Sequence, residues 1–290
     1  MVPIPTAASS HVQPVVSANI HHPLHSLEGS TSLVTGGARG IGLSLASALV
    51  SVGSHLVVLD ILPSPADSHG EDEWVQLLKQ ASQAGLQVEY IHADITDEDA
   101  MIKTFARVAS ECIADGRGPL KTVVHAAAIM KQGKILDFSA AEVDRIMNVN
   151  VTGTFIITKA AALAMKQHTT GGSIVLMASI SGFIANRGLF CSAYNSSKAA
   201  VHQFCRSASV ELAEYGVRVN TISPGYIRSK MTDGLLLGQT ELRDRWEGDN
   251  ALQRMGGPEE IQGAVLYFAT PASSYTTGTD IRIDGGHCAW

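Results

Sequence analysis

The stretch LVTGGARGIG, residues 33–42, decides the fold, because it joins a short apolar run to a helix-like segment through closely spaced glycines. A tight turn of this kind points the first N–H groups of the helix at a phosphate, and side chains there would block the approach. The glycines are spaced Gly-x-x-x-Gly-x-Gly, which alone is a weak signal. The prediction of a phosphate-binding turn therefore depends on the apolar run before it and the helix-like segment after it. A plain tight turn is the alternative to the dinucleotide site that we predict at Gly36, Arg39, Gly40, Ile41 and Gly42.

Short apolar runs alternate with longer helix-like segments from residue 30 onward. The predicted strands are 32–35, 55–60, 88–93, 122–127, 173–177, 218–222 and 280–283, and the predicted helices are 41–52, 72–84, 97–114, 139–167, 194–214 and 258–270. Runs that are apolar on both faces, such as residues 56–59, suit strands covered by helices on both sides. The pattern predicts an α/β fold of the Rossmann type, a doubly wound parallel sheet flanked by helices.

The chain is expected to form one domain over residues 30–290, preceded by a flexible arm over residues 1–29. The arm holds four prolines and four histidines and too few apolar residues to fold alone. Its histidines lack a framework that would fix metal ligands, so we predict no metal site. Residues 225–257 interrupt the alternation of strands and helices, which indicates an insertion.

Composition excludes several classes of function. The 290 residues carry 21 Lys+Arg and 27 Asp+Glu, a formal net charge of −6, and no basic stripe, which argues against a nucleic-acid partner. No apolar run approaches the ~18–20 residues that span a bilayer, so we expect no membrane partner. The four cysteines are scattered and the first 29 residues contain no Lys or Arg. Both features favour a reducing, cytoplasmic location over secretion.

Asp60 closes the second apolar run, eighteen positions after Gly42. A carboxylate at that place accepts hydrogen bonds from both hydroxyls of an adenine ribose and repels a 2′-phosphate, which favours NAD. Arg39 favours the other cofactor, because a guanidinium in the turn can pair with the 2′-phosphate of NADP. We expect NAD(H) to be preferred over NADP(H); a solvated carboxylate at a strand end is the alternative role for Asp60.

Tyr194 and Lys198 form the pattern Tyr-x-x-x-Lys, which places both side chains on one face of a helix. Hydride transfer to or from a carbinol carbon needs a proton donor or acceptor on the oxygen. A nearby ammonium lowers the pKa of a tyrosine from its usual value of about 10. The same spacing occurs at Tyr226 and Lys230, but a loop is expected after Pro224-Gly225. We therefore predict that Tyr194 and Lys198 are the catalytic pair.

These residues resemble the short-chain dehydrogenase/reductase family. The resemblance covers roughly residues 29–286 and depends on the glycine-rich turn, Asp94, Asn150, Ser179, the Tyr194–Lys198 pair and Pro224-Gly225, all in the family's order. It implies about seven parallel strands, with the cofactor across their carboxyl ends. It also implies that Tyr194 is the general acid/base and that Lys198 lowers the pKa of Tyr194 and holds the nicotinamide ribose. Ser179 would bind the substrate oxygen, and Asn150 would hold a water of the proton relay. Asp94 and Ile95 would flank the adenine.

The chain departs from the family pattern at two places. The family's Asn-Asn-Ala-Gly after the fourth strand reads His125-Ala126-Ala127-Ala128 here. Small residues are kept, so Ala126 is expected to approach the cofactor, and His125 is either a structural histidine or a proton group. After Pro224 and Gly225, Ser229 replaces the threonine that commonly binds the carboxamide, with Ile227 beside it.

The substrate is expected to contact the loop 183–192 and a lid within residues 226–250. The interval between Ser179 and Tyr194 is two residues longer than usual, which implies a small insertion in this loop. The candidates for the pocket wall are Ser181, Phe183, Asn186, Phe190, Cys191 and Tyr226. Gly234 and Gly238 are candidate hinges of the lid, whereas the Leu-rich run between residues 235 and 237 equally suits ordinary core packing.

The function expected from this resemblance is reversible oxidation of a secondary alcohol to a ketone with NAD(P). The substrate is a polyol or sugar alcohol, which the tail 284–290 favours by its resemblance to fungal enzymes, or an alcohol of secondary metabolism. Two alternatives remain: a dinucleotide-binding sensor without turnover, and non-redox chemistry in the same pocket. The family also implies a homo-oligomer, a tetramer or a dimer, with Trp290 at an interface.

Overall fold

A parallel sheet with helices on both faces forms the domain. The computed structural model describes residues 23–65, 71–229, 232, 234, 236, 238 and 240–290. The strands in this part of the chain are β1 (Thr31–Thr35), β2 (His55–Asp60), β3 (Val88–His92), β4 (Leu120–His125), β5 (Gly172–Met177), β6 (Val217–Pro224) and β7 (Asp280–Ile283). The α-helices are α1 (Gly40–Ser51), α2 (Glu71–Gln83), α3 (Glu98–Ala114), α4 (Ala140–Met147), α5 (Gly153–Gln167), α6 (Ser192–Glu211), α7 (Thr240–Gly248) and α8 (Gln262–Ala269).

The sheet confirms the predicted fold class. Its seven strands run parallel in the order β3-β2-β1-β4-β5-β6-β7. Neighbouring residues of β2 pack into opposite layers, Val57 with Phe105 on one face and Val58 with Phe268 on the other. This burial on both sides explains why the strands read as continuous apolar runs. The strand order reverses between β1 and β4, where a doubly wound sheet opens a crevice at its carboxyl edge.

The segment predicted as one helix over residues 139–167 is divided in three. Ser139 caps α4 by accepting a hydrogen bond from the backbone N–H of Glu142 at 3.3 Å. A π-helical stretch, Asn148–Thr152, then separates α4 from α5. By length and composition the run Ala140–Gln167 could cross a bilayer, but 56% of its most apolar window is buried inside the protein. It is therefore part of the core.

The end of the predicted arm packs against the domain. Leu27 is only 6% exposed, and its N–H donates to the carbonyl of Val52 at 2.9 Å. Leu27 therefore packs on the domain, a contact that the composition of the arm does not reveal. The remainder of the predicted arm, residues 1–22 with three of its four histidines, lies outside the described residues.

A third, smaller apolar cluster covers the carboxyl edge of the sheet. Trp246 of α7 packs there with Leu189, Tyr226 and Met255. The insertion therefore contributes a side chain that is almost completely buried, 1% exposed, beside the crevice. Of the predicted lid, Lys230, Met231, Asp233, Leu235, Leu237 and Gln239 lie outside the described residues.

Candidate active site

A cavity of about 160 Å³ lies at the carboxyl edge, and most predicted site residues of this region line it. They are Ile41, Ala126, Ser179, Ser181, Asn186, Tyr194, Lys198, Pro224, Gly225, Tyr226, Ile227 and Ser229. The apolar lining residues that sequence reasoning missed include Met130, Met177, Leu189 and Trp246. Leu189 lies in the loop that the unusual Ser179–Tyr194 interval had marked, whereas the other three carry no motif.

The glycine-rich turn fits a dinucleotide pyrophosphate. Gly36 adopts a φ of +68°, and a Cβ there would lie 2.7 Å from the backbone of Ala127. A Cβ at Gly42 would collide with the carbonyl oxygen of Gly36. Helix α1 begins at Gly40, and the side chain of Arg39 at its N-cap accepts no hydrogen bond from the helix. The first N–H groups of α1 therefore keep their donor capacity for an anion.

Asp60 holds this turn from the end of β2. Its carboxylate accepts hydrogen bonds from the N–H of Ala38 at 3.0 Å and from the N–H of Leu62 at 3.1 Å. The side chain is 8% exposed, and no Lys or Arg pairs with it among the residues that the structure describes. Arg39 is exposed. Asp60 is thus a built part of the turn rather than a solvated strand end.

Asp94 and Ile95 follow β3 at the same edge, outside the cavity. The carboxylate of Asp94 accepts hydrogen bonds from the N–H and hydroxyl of Thr96, at 2.9 and 2.8 Å. Ile95 is buried against Gly153, at the start of α5. Both residues therefore lie just after β3, between that strand and the start of α5.

Ser179, Tyr194 and Lys198 meet in the cavity. Ser179 follows β5, and its hydroxyl oxygen accepts from the N–H of Ser181 at 3.1 Å. Helix α6 carries the other two residues, and the Nζ of Lys198 lies 5.6 Å from the centre of the Tyr194 ring. This ammonium donates to the carbonyl of Met177 at 2.7 Å.

The electrostatics of this trio differ from the sequence expectation. Burial raises the pKa of Tyr194 to about 12, against a hydrogen bond with Ser179 that lowers it. Burial lowers the pKa of Lys198 to about 8. The sequence expectation considers only the charge of the ammonium, whereas desolvation by burial is the largest influence on the pKa of Tyr194 in this structure.

Asn150 lies in the π-helical stretch, 1% exposed. Its Nδ2 donates to the carbonyl of Ile129 and its Oδ1 accepts from the N–H of the same residue, both at 2.9 Å. Nδ2 also reaches the hydroxyl of Ser197 on α6 at 3.0 Å. The side chain therefore ties the loop after β4 to the helix that carries Tyr194 and Lys198.

Three predicted pocket residues do not line the cavity. Phe183 is 50% exposed and stacks on His202 instead, with the ring centres 4.1 Å apart. Phe190 is 61% exposed. Cys191 is buried behind the wall, with its thiol 2.9 Å from Oδ1 of Asn195. The sequence marks the loop 183–192 without giving the direction of its side chains, so substrate contacts of these three residues stay a prediction.

His125, the first departure from the family pattern, is a buried structural residue. Thr154 donates its hydroxyl to the carbonyl of Asn150 at 2.6 Å. Its oxygen therefore accepts from Nε2–H of His125, 3.0 Å away, and the hydroxyl of Thr35 donates to Nδ1 at 2.7 Å. Burial, with Lys198 as a second cause, lowers the pKa of His125 to about 3. The neutral ring links β1 to the carbonyl of Asn150.

Comparisons with known proteins agree with this geometry. The family model described as enoyl-(acyl carrier protein) reductase matches residues 36–287. A short-chain dehydrogenase/reductase of Aspergillus versicolor, notP′, is 39% identical over 274 residues, covering 92% of this chain and 90% of that protein. A galactitol 2-dehydrogenase (L-tagatose-forming) of Cereibacter sphaeroides is 36% identical over 265 residues, covering 91% and 97%. The crystal structure of a short-chain type dehydrogenase/reductase from Mycobacterium marinum superposes with a TM-score of 0.78 at 34% identity, covering 91% and 97%.

A doubly wound sheet, a glycine-rich turn and a Tyr-x-x-x-Lys pair in one crevice define a nicotinamide-dependent oxidoreductase that acts on CH–OH groups. With the family match over most of its length, the chain belongs to the short-chain dehydrogenase/reductase family. It acts on a small-molecule substrate, interconverting a secondary alcohol and a ketone with NAD(P).

The buried neutral state of His125 gives a prediction on stability. Its pKa is about 3 in the folded protein and about 6.5 when unfolded. The unfolded chain therefore binds more protons between these values, so this residue makes stability fall as the pH decreases from about 6.5 towards 3. His125→Asn should flatten that part of a curve of melting temperature against pH. The exposed His92→Asn is the control, and equal curves for His125→Asn and the unchanged protein would contradict the assignment.

Proposed function

We propose that Tyr194 is the general acid/base, that Ser179 binds the reacting oxygen of the substrate and that Lys198 positions the nicotinamide ribose. The observation that carries this proposal is the meeting of these three side chains in one cavity beside the glycine-rich turn. The bound nicotinamide supplies the hydride acceptor, or the donor in the reverse direction. The chain's own residues handle the proton and the orientation of the alcohol.

Proton transfer follows from the state of Tyr194. Oxidation of the alcohol needs the phenolate, which takes the hydroxyl proton as the C–H bond breaks and the C=O bond forms. Reduction of a ketone needs the neutral phenol, and a pKa of about 12 keeps Tyr194 in that form at neutral pH. Alcohol oxidation should therefore accelerate with rising pH, whereas ketone reduction should proceed at neutral pH.

The π-helical stretch supports the site in this account. Asn150 fixes the loop after β4 through both atoms of its amide and reaches Ser197 next to Lys198. Such π-helical insertions often occur at functional sites. We propose that Asn150 keeps α6 in the position that the proton transfer requires, and that its segment holds a water of the relay.

The substrate class that we propose is a neutral polyol or sugar alcohol. Relatives that support it are the galactitol 2-dehydrogenase of Cereibacter sphaeroides and a D-arabinitol 2-dehydrogenase [ribulose-forming] of Candida tropicalis, which is 33% identical over 275 residues. Hydroxyl and amide groups of Ser181, Asn186 and Tyr226 in the cavity wall suit a substrate with several oxygens.

The role of Tyr194 can be tested by removing its hydroxyl. Tyr194→Phe should lower kcat by at least ~10²-fold, the usual contribution of general acid/base catalysis. The affinity for NADH should stay within about twofold, because the ring and its packing remain. Steady-state kinetics on a polyol panel and fluorescence titration measure the two quantities, with Tyr215→Phe as the control. Turnover by Tyr194→Phe near that of the unchanged enzyme would refute the assignment.

We propose NAD(H) as the preferred cofactor. The support is the buried carboxylate of Asp60 at the end of β2, which would repel a 2′-phosphate, and the exposed position of Arg39. An NADH-dependent L-xylulose reductase of Ambrosiozyma monospora, 33% identical over 275 residues, supports the same preference. Asp60 would then have two roles. It would select the cofactor, and it accepts hydrogen bonds from the turn and from Leu62.

Charge removal at Asp60 should change this preference. Asp60→Asn keeps the size of the side chain and removes the repulsion, so kcat/KM with NADPH should rise at least tenfold relative to kcat/KM with NADH. Arg39→Ala is the companion variant and should leave the preference for NADH intact. An unchanged enzyme that already prefers NADPH, and loses that preference in Arg39→Ala, would show that Arg39 decides.

We also propose a homo-oligomer, a dimer or tetramer, acting in the cytoplasm. Helix α5 exposes Phe155 and Leu163, and Phe155 contacts Phe204 of α6 with ring centres 5.6 Å apart. This apolar surface suits a second copy of the chain. Trp290 is 81% exposed and is a further candidate for burial between copies. All four cysteines are free thiols, which suits a reducing compartment.

Light scattering tests the oligomer. The unchanged protein should elute at a multiple of 30.6 kDa, and Phe155→Glu should shift the mass towards a single chain. Tyr275→Glu, a change at a fully exposed ring, is the control and should leave the mass unchanged. A monomeric unchanged protein would overturn the proposal.

A further inference from the structure

A buried chain of polar groups lines one part of the cavity wall. The hydroxyl of Ser181 donates to Oδ1 of Asn186 at 2.8 Å, and Nδ2 of Asn186 donates to the hydroxyl oxygen of Tyr226 at 3.2 Å. The thiol of Cys191 approaches the same Oδ1 at 3.8 Å, which fits an oxygen at that place. The three polar side chains are all buried, at 6 to 7% exposure.

Two donors at this wall have no acceptor among the described residues. Tyr226 accepts from Asn186, so its own O–H proton is left over. The indole Nε1–H of Trp246 is buried and finds no hydrogen-bond partner in the described part of the chain. Both residues line the cavity, and their rings stack with centres 4.1 Å apart and planes 6° apart. A buried donor without an acceptor is unfavourable and rare in folded proteins.

Two further residues restrain the stack of Tyr226 and Trp246. The ring of His287, from the tail after β7, meets the Tyr226 ring edge-on at 5.0 Å. The Nδ1 of His287 lies 3.0 Å from Oδ1 of Asn250, which fixes the imidazole. Trp246, from α7, packs face to face on the same Tyr226 ring. The donors therefore sit on rigid rings, so little conformational freedom is lost when they bind an acceptor.

We propose that Tyr226 and Trp246 form a specificity site for a second oxygen of the substrate, distinct from the oxygen that reacts beside Ser179 and Tyr194. This inference deepens the proposed function and depends on it. The pair selects substrates with a hydroxyl or carbonyl oxygen in addition to the reacting group, such as diols, polyols and hydroxyketones, over simple secondary alcohols. A substrate that lacks this oxygen leaves both donors buried without a partner, which is how sites discriminate most strongly.

The second oxygen is neutral. Among the described residues, the cavity contains one charged side chain, Lys198, whose ammonium already donates to the carbonyl of Met177. A carboxylate bound at Tyr226 and Trp246 would receive only neutral hydrogen-bond donors from this pair, and the one ammonium in the cavity is already bound to the backbone, so burying the negative charge there is unfavourable. The site therefore selects sugar alcohols and neutral diols over sugar acids.

Matched substrate pairs test the site in the complete enzyme. The pairs are 2,3-butanediol with 2-butanol and cyclohexane-1,2-diol with cyclohexanol, with galactitol and gluconate as the neutral and acidic polyols. Tyr226→Phe removes the hydroxyl and keeps the ring stack. It should lower kcat/KM for the diols and galactitol roughly tenfold, the worth of about one hydrogen bond, and leave the single alcohols within about twofold.

Trp246→Phe is the second variant and should show the same selective loss. Tyr267→Phe is the control, because it removes a tyrosine hydroxyl that is hydrogen-bonded to Thr276 away from the cavity. Melting temperatures check that each variant folds. If Trp246→Phe does not fold, the result for Tyr226→Phe alone decides the test.

The outcomes separate the inference from the function on which it depends. Equal losses on diols and single alcohols, no loss on either, or a preference of the unchanged enzyme for single alcohols or gluconate would overturn the specificity site and leave the dehydrogenase intact. Absence of nicotinamide-linked turnover on every substrate would overturn the proposed function, and the inference with it.

Discussion

The side-chain amide of Asn150 holds together the two parts of the site. One part is the crevice between β1 and β4, where the glycine-rich turn lies against the backbone of Ala127. The other is α6, which carries Tyr194 and Lys198. Asn150 bonds twice to Ile129 after β4 and once to Ser197 on α6, from a position that the π-helical stretch turns inward. This link adds to the hydrogen bond from Lys198 on α6 to the carbonyl of Met177 on β5.

Desolvation by burial shifts the pKa values of the titratable groups near Asn150. His125 is kept neutral between two threonines, Lys198 loses part of its basicity, and Tyr194 keeps its proton more firmly than a tyrosine in water. Each shift has the sign that burial gives to that kind of group. Most of these buried polar groups are hydrogen-bonded to one another. A buried donor without an acceptor therefore indicates a place where a substrate atom can bind. Tyr226 and Trp246 stand out on that ground.

Sequence reasoning recovered the parts of the molecule that depend on local pattern. The bounds of β2 and β7 match the expectation, and Ser179, Tyr194 and Lys198 line one cavity. It failed where tertiary packing decides. Phe183 and Phe190 turn to the surface although Leu189, in the same loop, lines the cavity, and Leu27 joins the core from a stretch that looks like a tail. The direction of the Tyr194 pKa shift also required burial, which no spacing reveals.

The stoichiometry of a polyol oxidation tests the central claim most directly. The purified enzyme is mixed with NAD⁺ and a neutral polyol, and NADH and the ketone product are quantified in the same sample. The account predicts one ketone for each NADH formed. A product that forms without any net change in the nicotinamide would indicate non-redox chemistry, and tight binding of the cofactor without product from any polyol would indicate a sensor; either result would contradict the account.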